Sequence, residues 1–137
     1  MLLPQEVAAR VTLPALRALV AKKLIEEHGF SQRRVARALG LTQAAVSNYL
    51  RSTRALHVEE VPELHRFATD IAGTIADGAD MITVMFRFAE ACNDILASRL
   101  MCGLHGRLDP DLDVDSCHLC DSHAGPPLIR AEDLRKK

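Results

Sequence analysis

All four cysteines of this 137-residue chain fall after residue 90, at Cys92, Cys102, Cys117 and Cys120. In a reducing compartment, thiols gathered in this way suit metal binding or redox chemistry better than structural disulfides. Cys117-x-x-Cys120 is a knuckle that can present two sulfurs to one ion, and Cys102 stands two intervening residues before His105. Three chemistries compete. All four cysteines can hold an iron–sulfur cluster: their intervals of nine, fourteen and two intervening residues are irregular, but cluster ligands occupy separate corners. Alternatively Cys102, His105, Cys117 and Cys120 form C-x2-H-x11-C-x2-C, close to a zinc ribbon. Cys92 is then a small buried residue, and zinc on all four cysteines is a variant. The third chemistry is a metal-free disulfide switch, although the C-x-x-C has no βαβ pattern of the thioredoxin kind beside it. His118 and His123 are expected in supporting or solvent-exposed positions.

A second constellation lies at the front, in residues 31–51. Ser31 can cap a short helix that turns Val35, Ala36 and Leu39 inward and keeps Arg33, Arg34 and Arg37 wet. Gly40 supplies the left-handed turn that ends it. Leu41 plugs inward, and Thr42 caps a second helix with Ala45, Val46, Tyr49 and Leu50 on or beside its apolar side. Gln43, Ala44, Ser47, Asn48 and Arg51 then point outward. Gln43 and Asn48 carry the paired donors and acceptors that match adenine, Ala44 can meet a thymine methyl group, and Ser47 is adaptable. Arg33, Arg34, Arg51 and Arg54 suit phosphates.

Leu-Gly-Leu-Thr-Gln-Ala-Ala-Val-Ser-Asn-Tyr-Leu at 39–50 resembles the helix-turn-helix of phage repressor and Cro-like regulators. Ala36, Gly40 and Val46 fall where that motif wants a small, a turning and a buried residue. Together with the cysteines, the chain is similar to prokaryotic regulators that join such a motif to a C-terminal cysteine cluster. The resemblance implies a transcription regulator sensing iron, oxygen or redox state through Cys92, Cys102, Cys117 and Cys120, with His105 a rival ligand.

The elements that must position these residues follow from periodicity. A short helix is predicted within Met1–Thr12, and a supporting one from Pro14 to about His28, closed by Gly29. A further helix runs from near Pro62 to about Ala76 on a stripe of Val61, Leu64, Ala68, Ile71 and Ile75. Asp80 caps a long helix to about Leu100. This one has two apolar faces: Met81, Met85, Phe88, Cys92 and Ile95 make a heptad-like seam, and Ile82, Phe86, Ala89, Leu96 and Leu100 make the other. One face is expected on the chain's own core and the other on a second subunit. The tail, rich in Gly, Pro and Asp, shows little periodicity and needs a staple. Pro126-Pro127 begins an extended end, and no internal repeat is evident.

Composition agrees with these assignments. The chain is 48% hydrophobic and 4% aromatic, so its core is aliphatic. Residues 1–58 carry nine Lys/Arg and three Asp/Glu, and residues 59–137 carry eight and fifteen, a basic front and an acidic rear. No apolar run reaches the roughly 20 residues that span a bilayer, and no secretion signal is seen, so a cytoplasmic protein is expected. The expected fold is all-α: a helix-turn-helix DNA-binding domain (1–58), dimerisation helices (59–101) and an irregular cysteine-rich metal-binding tail (102–137). The expected partners are a double-stranded DNA operator and a second copy of the chain, with no membrane. A competing class is a protein-binding antitoxin or adaptor. An enzyme is not expected, since no nucleophile triad, carboxylate pair or phosphate-cradling loop is present.

Overall fold

A computed structural model describes residues 1–51 and 57–122, and every regular element in them is helical. No described helix is long and apolar enough to cross a membrane. The order is α1 (Pro4–Val7), a π-helical stretch (Ala8–Thr12), α2 (Leu13–His28), α3 (Gln32–Leu39), α4 (Gln43–Arg51), a 3-10 turn (Val58–Glu60), α5 (Leu64–Ala76), α6 (Met81–Ala97), α7 (Cys102–Leu108) and α8 (Leu119–Ser122).

Pro4 opens α1 at a position where a missing N–H costs nothing, and Glu6 Oε2 accepts from the Leu3 N–H at 2.7 Å. The two front helices expected from sequence are one continuous helical rod. Thr12 keeps helical angles (φ −62°, ψ −51°), and the Leu13 N–H reaches back to the Ala8 carbonyl. Pro14 would normally break a helix, because its ring crowds the carbonyl four residues earlier and it has no N–H. The wider π turn before it makes that room.

α2 is the central pillar. Ala15, Leu16, Ala18, Leu19, Val20, Ala21 and Leu24 are all buried, because α3, α4 and α5 pack around it. Gly29 ends it at φ 69°. α5 buries the expected stripe, with Val61 buried just ahead of it. It begins at Leu64 because Pro62 and Glu63 form a turn. The Asp80 side chain accepts from the Thr83 N–H at 2.8 Å and starts α6.

α6 stops earlier than the periodicity suggests. Arg99 takes a left-handed conformation, φ 61°, and the Leu100 N–H bonds the Ile95 carbonyl at 3.3 Å. This is the hydrogen-bond pattern that normally recruits glycine past a helix end. The tail then begins as a regular helix rather than an irregular segment. Met101 and Leu104 plunge into the same core cluster as Val7, Leu16 and Ile95. The N-terminus straps α7 down: Asp109 Oδ2 accepts from the Leu2 N–H at 2.8 Å, and the His105 Nε2–H donates to the Leu2 carbonyl at 2.6 Å.

Candidate nucleic-acid interface and cysteine pocket

The front site is built by local capping. Ser31 Oγ accepts from the Arg34 N–H at 3.1 Å, which starts α3. Gly40 closes it at φ 65°, with the Leu41 N–H on the Ala36 carbonyl at 2.8 Å. Thr42 Oγ1 accepts from the Ala45 N–H at 3.0 Å, which starts α4. Val35, Ala36 and Val46 are buried and clamp the two helices on α2. Leu39, Leu41 and Leu50 are half-buried against the same core.

Clamping one side of α4 presents the other. Thr42, Gln43, Ala44, Asn48 and Arg51 are exposed, and Ser47 is half-buried beside them. Arg33 and Arg34 are exposed on α3, and the Arg34 guanidinium stacks 3.7 Å from the centre of the Phe30 ring, which restrains a long side chain before any contact is made. Arg51 donates to Asn48 Oδ1 at 3.0 Å. That bond uses one of the two lone pairs on the Asn48 amide oxygen and ties the two side chains together on the exposed side of α4. Arg54 lies outside the described residues.

The rear site gathers part of the predicted set. Cys102, His105, Cys117 and Cys120 line one cavity of about 60 Å³ that Leu112 and Val114 close from the loop side. Cys92 lines a different cavity, the groove along α6, and is buried there. The electrostatics agree with this division. Burial pushes all three of Cys92, Cys102 and Cys120 upward, but only Cys102 and Cys120 also feel neighbouring thiols, including Cys117. As arranged, no three His, Cys, Asp or Glu side chains among the described residues are poised to hold a metal ion. The pocket thus has the chemistry of a soft-metal donor set without its closed geometry.

Arg99 holds the cysteine loop, and nothing in the sequence pattern marked it, since it sat inside what the periodicity read as helix. Its guanidinium donates to the carbonyls of Val114, at 2.8 Å, and Cys117, and lies 3.4 Å from Asp121 Oδ2. Its charge is also the one influence that draws the Cys102 and Cys120 thiols downward against their burial. His118 is exposed and pairs with Asp121 at 3.1 Å, and this contact holds the Asp121 carboxyl below the usual range. His123 lies outside the described residues.

Residues 22–67 match the family described as Helix-turn-helix. Among curated proteins and among solved structures, none matches the chain significantly. The matched span runs from within α2 to the start of α5 and encloses both capped helices, α3 and α4. The front of this chain therefore carries a helix-turn-helix module, as its two capped helices indicated.

Proposed function

We propose that this protein is a homodimeric, sequence-specific transcription regulator that reads operator bases with α4. The observation that carries the reading is the exposed row Gln43, Ala44 and Asn48 on a helix whose start and inner face are locked by Thr42 and Val46. Rigid presentation matters because base-edge contacts act only at hydrogen-bonding distance. Polar side chains of this kind are poor anchors for a protein partner, which disfavours an adaptor role. Dimerisation is supported by α6, where Met81, Ile82, Met85 and Phe86 are 56%, 78%, 64% and 55% exposed. Four large apolar side chains over two turns form a patch that water disfavours and a second subunit covers. Two copies would place two α4 helices on related half-sites.

For the tail, the shared pocket favours zinc on Cys102, His105, Cys117 and Cys120 over an iron–sulfur cluster that needs Cys92. The His105 Nε2–H donates to the Leu2 carbonyl, which leaves Nδ1 with its lone pair; metal-bound histidines are commonly oriented this way. Zinc bound there would supply a cross-link between α7 and the 117–120 knuckle. The thiols would have to turn inward and lose their protons to accept it. Metal analysis of protein purified without air separates the two: one zinc per chain and no colour supports the pocket set, and a brown protein carrying iron and sulfide supports the four-cysteine cluster.

The DNA reading is tested by selecting bound duplexes from a random library, then measuring Gln43→Ala and Asn48→Ala on the selected site. Each should lose about 1–3 kcal/mol, roughly fivefold to 150-fold, and relax preference at one base position. No enriched sequence, or full affinity in both variants, ends the proposal.

A further inference from the structure

A groove of about 600 Å³ runs along α6, between the π-helical stretch and the end of α3. Its volume lies inside the range of small-molecule sites, roughly 300–1,000 Å³. The walls are apolar, with Leu13, Leu39, Val84, Phe88 and Leu96. Met81 and Met85 also line it, and such flexible, polarizable side chains adapt to an unbranched chain. Three polar side chains enter the lining, Gln5, Arg17 and Asn93, and no Asp or Glu does. Arg17 is half-buried, and no ion pair among the described residues involves it. One wall is the π-helical stretch, a departure from α geometry that recurs at functional sites.

We propose that this groove binds a single-chain lipophilic carboxylate, with the hydrocarbon among Leu13, Val84, Phe88 and Leu96 and the carboxylate on Arg17. A guanidinium with no ion pair among the described residues, set in an apolar cleft, calls for an anion it can meet with two parallel hydrogen bonds, and a carboxylate has that shape. A lipophilic cation would face Arg17 repulsion, and a neutral chain would leave its charge unmatched. The exposed run of a second copy, residues 81–86, would fill the walls but carries no acid for Arg17. Leu39 ends α3 and Gly40 begins the turn to α4, and Met81 and Met85 stand at the start of the exposed α6 face. A bound ligand thus touches both the DNA-reading module and the dimer face. That regulatory consequence rests on the proposed function; the binding itself does not.

Calorimetry with dodecanoate, dodecanol and dodecylammonium, each below its micelle concentration, tests the site directly on the full chain. Dodecanoate should bind saturably, once per chain, and at least roughly tenfold more tightly than the other two. Arg17→Gln should abolish that preference by weakening dodecanoate while dodecanol still binds saturably, and Arg17→Lys should keep part of it, which guards against a folding defect in the first variant. Cys92 lies in the groove wall, so in chelator-treated protein dodecanoate should protect it from alkylation, mapped by mass spectrometry, and leave the reactivity of Cys117 unchanged. Three results overturn the proposal: no saturable dodecanoate binding, a carboxylate preference that survives Arg17→Gln, or Cys92 protection that follows protein concentration and ignores dodecanoate. The last would assign the groove to a second copy.

Discussion

Removing the Arg99 side chain should release the cysteine loop and leave the core in place. The guanidinium makes charged hydrogen bonds to the carbonyls of Val114 and Cys117. At the lower end of the range for such bonds, suited to a side chain 31% exposed, each is worth about 1.5 kcal/mol. The exposed ion pair with Asp121 adds little. Arg99→Ala should therefore favour loop opening by about 3 kcal/mol, roughly a hundredfold. The backbone supplies an internal control. Arg99 has φ 61°, a conformation that costs a residue with a Cβ about 1 kcal/mol or more and costs glycine almost none. Arg99→Gly loses the same hydrogen bonds but relieves that strain, so it should be the more stable of the two variants overall. The assay is amide hydrogen exchange across 109–121 in chelator-treated protein. There the Leu112 N–H rests on the Asp109 carbonyl at 3.0 Å and the Cys117 N–H on the Val114 carbonyl at 3.3 Å. Exchange in that segment should accelerate in both variants, while the buried amides of α2 should be little changed. Unaltered exchange in Arg99→Ala, or a glycine variant less stable than the alanine one, refutes the reasoning.

Gly40→Ala should destabilise the module by about 1 kcal/mol through backbone strain alone, since the nearest atom to the added Cβ, Met81 Cε, is an ordinary 3.8 Å away; thermal melts of the variant check it, and a loss of several kcal/mol contradicts it. Ile82→Glu, at the most exposed position of the α6 patch, should convert a dimer to a monomer in sedimentation runs without changing helical content, and a dimer that survives Ile82→Glu and Phe86→Glu together locates the interface elsewhere. The thiols of Cys102 and Cys120 are raised above the ordinary thiol value, first of all by burial, so in metal-free protein they should alkylate more slowly than a free thiol at neutral pH, with a profile displaced to the alkaline side. The sign for stability follows: burying these groups neutral helps the folded state below the ordinary thiol value, and that help fades as pH rises through their raised values. Arg99→Ala removes the one charge that draws both thiols down, but it also opens the loop that buries them, so the thiol profile is to be measured on the unsubstituted protein; a profile matching a free thiol rejects the burial argument.

The sequence by itself determined the helix-turn-helix, because its information is local. Ser31, Gly40 and Thr42 act within a few residues of where they stand, through one cap, one left-handed turn and a second cap. The inward Val35, Ala36 and Val46 and the outward Gln43, Ala44 and Asn48 follow from helical period once those boundaries are set. The aliphatic core and the α5 stripe were legible for the same reason. Tertiary structure alone decided the rest. Continuity through Pro14 depends on a π turn that no propensity announces. The two apolar faces read on α6 became two halves along its length: Ala91, Cys92, Ile95 and Leu96 are buried while Met81, Ile82, Met85 and Phe86 are bare, because periodicity tells which residues share a face but not where neighbouring helices end. The same limit governs the cysteines. Spacing made all four, and His105, plausible co-ligands, but only the early end of α6 at Arg99 and the N-terminal strap at Leu2 bring Cys102, His105, Cys117 and Cys120 to one pocket and leave Cys92 on another. Contacts between residues a hundred positions apart are set by packing of the whole chain, and no local pattern records them.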